Sequence, residues 1–339
     1  MIIDSYEVNE EDIFTWVKSN DAREVLIQAP DGLKKIALAI SELLEERGVR
    51  AFLSAGHAWG GCDVAYDEAR SIGVDAIIHI GHHGPVWFKP PSRPMVLFVP
   101  AFSTLNPTRL VAEAAREAKD AGASSLAIVT TIQHAKWLPM LKEAVASEGL
   151  KPVTGSLSGV EGLIVGCNYA SIRRADAVVV VAGGLFHALG AAVWSERPTW
   201  SADPYQEKVS RVEVRNVVAR RLYAISKAID ARSFLIVVSS KPGQNRVSLA
   251  TRVKRTLEER GRRVLIAVFN EVTRELLENI QGFEAFVNTA CPRLALDDEG
   301  VFPGPVLNPG ELKYVLSGSV EGYSLRDALV FDLRLLDGP

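Results

Sequence analysis

Phe234-Leu-Ile-Val-Val238, a charged amphipathic stretch from about 246 to 260, Gly261 and then Val264-Leu-Ile-Ala-Val-Phe269 form the segment that decides the fold class. The two apolar runs, rich in β-branched residues, have the length and composition of buried strands. The stretch between them repeats apolar residues at helical spacing, and Gly261 stands where a left-handed cap would end a helix. Strand, helix and strand in this order predict a parallel pair joined by a crossover helix.

The same succession occurs twice upstream. Val25-Leu-Ile-Gln-Ala29 leads to a helix over about 32–47 that ends at Gly48, then to Ala51-Phe-Leu-Ser54. Ser125-Leu-Ala-Ile-Val-Thr130 leads to a helix over about 136–148 that ends at Gly149, then to Pro152-Val-Thr154. A further helix precedes each copy, expected near 10–20, 107–121 and 208–230. The expected architecture is therefore α/β, with three similar domains, each a small parallel sheet flanked by helices, arranged with pseudo-threefold symmetry as an internal triplication. The expected boundaries are 1–103, 104–205 and 206–339, which suits a chain of 339 residues that is too long for one ordinary core.

Hydrophobic residues make up 47% and charged residues 23%, with a formal charge of −3, the balance of an ordinary globular protein. Basic clusters such as Arg252-Val-Lys254-Arg255 sit beside acidic residues at helical spacing and read as solvated faces, so no nucleic-acid partner is expected. The N-terminus, MIIDSYEVNEEDIF, is acidic where a secretory signal is positive, which predicts a cytoplasmic protein. The longest uncharged apolar run, Ala177 to Trp194, is interrupted by Gly183-Gly184 and carries His187, so a buried strand and a turn are expected there and no membrane span.

Each copy carries one cysteine downstream of its second strand, in the contexts Gly60-Gly61-Cys62-Asp63, Gly166-Cys167-Asn168-Tyr169 and Ala290-Cys291-Pro292-Arg293. Small and turn-forming neighbours place each sulfur on a loop, and ligand sites in open α/β sheets gather at strand ends. Three converging thiolates can hold an iron–sulfur cluster and leave one iron open, although small buried cysteines would be the ordinary alternative. Zinc is the rival metal, since His57, His79, His82 and His83 lie near Cys62, but neither CxxC nor HExxH is present. GxGxxG after a strand and GxxxxGK[ST] are also missing, which argues against a nicotinamide dehydrogenase and a P-loop enzyme. Gln28-Ala-Pro30-Asp31-Gly32 and Ser240-Lys-Pro-Gly243-Gln244 follow matching strands of the first and third copies, and Gly81-His82-His83 and Gly183-Gly184-Leu-Phe-His187 follow later strands; together they outline a shared pocket.

Taken in order, Gly61-Cys62-Asp63, the Gly-His-His loop at 81–83, Gly166-Cys167-Asn168-Tyr169, Leu185-Phe-His-Ala-Leu-Gly190, Ser240-Lys-Pro-Gly-Gln244 and Ala290-Cys291-Pro292-Arg293 resemble the archaeal diphthamide-biosynthesis family, the 2-(3-amino-3-carboxypropyl)histidine synthases. The resemblance spans nearly the whole chain; Ala188 departs from it, standing where that family's turn has proline. It implies a homodimer whose subunits each bind a [4Fe-4S] cluster through Cys62, Cys167 and Cys291, with S-adenosylmethionine on the open iron. An electron donor would reduce the cluster, and the 3-amino-3-carboxypropyl group would pass to the imidazole C2 of a histidine in translation elongation factor 2. On that reading Pro30, Gly32, Gly243 and Gln244 would cradle S-adenosylmethionine, and His82 and His187 would line the pocket and face the incoming histidine. A quinolinate synthase-like enzyme of small metabolites, a non-catalytic cluster-bearing partner subunit and a metal-free nucleotide-binding scaffold are the alternatives.

Overall fold

Three parallel sheets organise the chain in the computed structural model, which describes residues 1–331. In the first, Arg50–Leu53, Glu24–Gln28, Ala76–Ile80 and Met95–Val99 lie side by side. In the second the corresponding strands are Lys151–Val153, Ser125–Thr130, Ala177–Val181 and Thr199–Asp203, and in the third Arg263–Phe269, Ser233–Ser239, Ala285–Asn288 and Val306–Leu307. Numbered along the chain within each sheet, the order is the same every time: second, first, third, fourth. The central strands are buried along almost their whole length, as both-face coverage by helices requires.

A repeated carboxylate bracket accompanies that order. Asp75 Oδ2 accepts from the backbone N–H of Arg23 and Glu24, Asp176 Oδ2 from those of Ser124 and Ser125, and Glu284 Oε2 from those of Arg232 and Ser233. Each acid stands just before its sheet's third strand and ties off the start of the first. Hydrogen bonds from the Ser124 and Ser125 hydroxyls and N–H groups hold the Asp176 carboxyl down at about 2. A carboxylate depressed on folding contributes stability above its unfolded pKa of about 3.9 and loses it as the pH falls toward 2. Asp176→Asn should therefore flatten the fall of the urea midpoint between about pH 4 and pH 2; an unchanged slope would show the bracket to be thermodynamically silent.

Most strands and middle helices fall within a few residues of expectation, and Gly48, Gly149 and Gly261 adopt the left-handed conformation. The helix expected over 208–230 begins only at Arg215. Lys208–Arg211 is instead a strand, antiparallel to Thr199–Asp203, because Val209 packs into the core beneath the Thr108–Asp120 helix while Lys208 and Arg211 face solvent. The third strand of the last sheet stops at Asn288, two residues short of Ala290, because the Asn288 amide turns back to Ala290 N–H and the Cys291 carbonyl. Near the chain's end, Leu325, Ala328 and Leu329 share a core with Ala188 and Ala191 of the Phe186–Ser195 helix, so the third segment closes against the second sheet. Residues 332–339 of the expected third unit lie outside the described residues. Among the described residues, no helix is long and apolar enough to cross a membrane.

Candidate cysteine-lined site

Cys62, Cys167 and Cys291 all line one cavity of about 200 Å3, with His82, His187 and Gln244 on its walls. Three separate loops reach this point because each is shaped to let another chain segment approach closely.

The Cys62 loop is clamped on two sides. The Gly243 N–H donates to the Cys62 carbonyl at 2.8 Å, and a Cβ at Gly243 would lie 2.1 Å from the Val86 carbonyl oxygen and 2.5 Å from Cys62 Cβ. A Cβ at Gly61 would similarly meet the His83 carbonyl oxygen at 2.1 Å. Only glycine permits these approaches. Beneath the loop, buried Lys241 donates to Asp63 at 2.9 Å and to Glu271 at 2.6 Å, so the first and third sheets are joined next to the sulfur.

Cys167 sits in a tight turn in which Val165 and Asn168 exchange backbone hydrogen bonds of 3.2 and 3.0 Å. Tyr169 closes the turn by donating to the Gly166 carbonyl at 3.0 Å. Cys291 opens a short 3-10 turn, and the Arg293 two residues on bridges to the Cys167 side: its guanidinium donates to the Phe186 carbonyl at 2.7 Å and to Tyr169 Oη at 3.3 Å, with Asp297 as its ion-pair partner. Gly190 makes room for this bridge, since a Cβ there would lie 1.8 Å from Tyr169 Oη.

Burial dominates the electrostatics of the sulfurs. It pushes the Cys62 thiol up to about 11 and the Cys291 thiol up to about 12, and raises that of Cys167 as well. Neighbouring thiols add to the rise at Cys62 and Cys291, which places the sulfurs within electrostatic reach of one another. Groups that favour charged sulfur are already positioned: Gln244 Nε2 donates to Cys62 Sγ at 3.4 Å, Trp87 Nε1 to Cys167 Sγ at 3.1 Å, and the Arg246 guanidinium faces all three thiols. The thiols thus stand protonated unless something cationic binds among them. Among the described residues no three His, Cys, Asp or Glu side chains come close enough to hold a single metal ion. Three soft donors spread around a cavity of this size fit a multinuclear group, and the zinc reading, which needs a compact Cys/His set, has no support in the positions of His57, His79 and His83. His57 pairs with Asp31 at the exposed surface, 2.8 Å away.

Burial also lowers the three cavity histidines, His82 to about 4, His187 to about 3 with help from the Arg293 charge, and His83 in the same direction. His187 Nδ1 is buried with no hydrogen-bond partner, an orphan that a ligand's polar atom would satisfy. Of the four residues expected to cradle S-adenosylmethionine, only Gln244 lines the cavity. Gly243 lies beneath Cys62 as its clamp, Pro30 packs its ring against Gly81, and a Cβ at Gly32 would meet nothing. Sequence reasoning missed Trp87 and gave Gln28 and Arg246, quoted only within strand-end loops, no role of their own. Gln28 did carry a signal, being the one polar side chain within the apolar run Val25–Ala29, and it is 1% exposed.

Fold and site together define an α/β protein in which loops from three parallel sheets bring one thiol each to a common cavity. The chain belongs to the diphthamide synthesis protein family, whose sequence model matches residues 29–324. It is 35% identical to the 2-(3-amino-3-carboxypropyl)histidine synthase of Pyrococcus horikoshii, over 98% of this chain and 95% of the relative. The enzyme of the same name from Methanocaldococcus jannaschii is 26% identical over 87% of this chain and 85% of its own length. Among solved structures, the crystal structure of Dph2 from Pyrococcus horikoshii with a 4Fe-4S cluster superposes with a TM-score of 0.84 at 34% identity, covering 94% of this chain and 93% of that one.

Proposed function

We propose that the chain is a 2-(3-amino-3-carboxypropyl)histidine synthase acting at the first step of diphthamide biosynthesis. It transfers the 3-amino-3-carboxypropyl group of S-adenosylmethionine to the imidazole C2 of a histidine in translation elongation factor 2. The observation that carries this reading is the convergence of Cys62, Cys167 and Cys291 on one cavity, in a chain that aligns end to end with synthases of that name. Family membership sets the quinolinate synthase reading aside.

In this proposal the three cysteines hold a [4Fe-4S] cluster. When bound, the cluster supplies the electron that allows a sulfonium to release one carbon substituent. The protein does the rest by placement. Trp87 and Gln244 direct N–H groups at two of the sulfurs and Arg246 offsets their charge, so ionised thiolates are tolerated where burial alone opposes them. Gln244 and the unpartnered His187 Nδ1 offer polar contacts to the bound S-adenosylmethionine. Trp59 and Phe186 are exposed apolar side chains on the cavity wall, suited to receiving a loop of a protein substrate. The three sheets with their helices are domains of one triplicated unit around a pseudo-threefold axis, and the active form is a cytoplasmic homodimer of archaeal type supplied by an external electron donor.

Anaerobically purified protein, incubated with S-adenosylmethionine, dithionite and elongation factor 2, should add one 3-amino-3-carboxypropyl group to the factor, read by mass spectrometry. S-adenosylmethionine should also perturb the electron paramagnetic resonance spectrum of the reduced cluster. No mass gain with the chain acting alone, despite a full complement of iron, would instead identify a non-catalytic partner subunit.

A further inference from the structure

Four polar groups run in line from the Cys62 loop to the cavity. Gln28 Nε2 donates to the Asp63 carbonyl at 2.9 Å, while Gln28 Oε1 accepts from the Ala65 N–H at 3.0 Å. These two backbone contacts fix the amide's orientation, because the flipped amide would set donor against donor and acceptor against acceptor. The same Gln28 oxygen is 2.9 Å from His79 Nδ1, so that nitrogen carries the proton. His79 is fully buried and held neutral by burial, so its Nε2 bears a lone pair. That lone pair is 2.9 Å from His82 Nδ1, which must then be the N–H partner. Neutral His82 is left with an unprotonated Nε2, for which the described residues provide no hydrogen-bond partner, on a ring that lines the cavity.

We propose that His82 Nε2 is the base that takes the proton displaced from C2 of the substrate histidine, with Gln28 and His79 as positioning residues that lock its tautomer. This rests on the transferase reading above. The transfer is redox-neutral overall. Sulfur keeps the electron pair of the S–C bond that breaks, the new C–C bond uses the pair of the C2–H bond, and any electron lent to the sulfonium is returned as the ring regains aromaticity. One proton remains, and it needs an acceptor inside a cavity lined by His82, His83 and His187, of which His82 has its free nitrogen fixed by the chain through Gln28 and His79. His82 shares the cavity wall with the three cysteines, Phe186 and His187, so a histidine bound there shares the cavity with the His82 ring.

Two measurements test this. Long-range 1H–15N correlation on the full-length chain should show His82 as the Nδ1–H tautomer, the rarer form in solution, and Gln28→Leu should release it to a mixture. An Nε2–H tautomer in the unaltered protein would overturn the proposal without any turnover. In single-turnover assays His82→Phe should lower the ratio of modified histidine to released methylthioadenosine by about 10²-fold or more, the ordinary worth of a general base. Added imidazole should restore part of the transfer. Unchanged transfer in His82→Phe, or cleavage lost together with transfer, overturns the assignment. Failure of the unaltered enzyme to cleave S-adenosylmethionine at all would instead overturn the transferase reading.

Discussion

Replacing Cys62, Cys167 or Cys291 singly by alanine is expected to bring bound iron after anaerobic reconstitution close to background and to abolish the brown chromophore. The reason is the supply of alternative donors. Among the described residues no three His, Cys, Asp or Glu side chains are grouped to hold a metal ion, so no ready-made set of donors stands in for a missing thiolate. Two thiolates cannot hold four irons. The thiols are also costly to ionise without the cluster, since burial raises all three, so the remaining pair reverts to the protonated form once the cluster is lost. The fold should tolerate the change: the cysteines are only partly buried and removing one sulfur should cost about 1 kcal/mol, near the centre of the mutational range. Iron assay and far-ultraviolet circular dichroism on the same preparations separate the two effects. Full iron in all three variants would remove the basis for a cluster.

The parts of this site that the sequence declares are those governed by local physics. Strand–helix–strand periodicity and the capping glycines place every parallel strand of the first three positions in each sheet, and loops at strand ends place the cysteines. Lys208–Arg211 is misread because a strand of four residues with alternating charge, Lys-Val-Ser-Arg, is indistinguishable from the first turn of the amphipathic helix that follows; only its pairing with Thr199–Asp203 decides between them. Trp87 escapes for another reason. Nothing near it in sequence announces an indole aimed at a sulfur eighty residues away, and its backbone, at φ +64°, occupies a region that a large side chain rarely adopts. That conformation aims the indole N–H at Cys167 Sγ. Pro30 and Gly32 show the converse, since turn chemistry alone gives a strand-end loop the look of a ligand cradle, and this loop packs Pro30 on Gly81 and pairs Asp31 with His57 outside the cysteine-lined cavity.

Arg221 is the other residue hidden by its surroundings, and its loss should be the most damaging change to stability. It lies in the Arg215–Ile229 helix among Arg215, Arg220 and Lys227, where a charge reads as solvated, yet it is fully buried. Its guanidinium pairs with Glu311, equally buried, through Nε at 2.9 Å and Nη2 at 2.6 Å, and donates to the Ala295 and Val306 carbonyls at 2.7 Å each. Glu311 is saturated in turn by the Asn308 N–H and the Tyr323 hydroxyl. Removing Arg221 strands Glu311 as an uncompensated buried charge, and removing Glu311 leaves Arg221 only the Glu299 carboxylate at 3.6 Å, so Arg221→Met should lose about 3–5 kcal/mol in urea denaturation of the full chain and Glu311→Leu somewhat less. The double variant should recover part of that loss, because no charge remains, though the freed carbonyls keep it below the parent. Single losses within about 1 kcal/mol would show the pair to be no anchor. The same bonds hold Ala295, four residues after Cys291, so Arg221→Met should lose iron and much stability together, whereas Cys291→Ala should lose iron with only about 1 kcal/mol of stability. That contrast distinguishes a residue that holds the cluster from one that holds the loop.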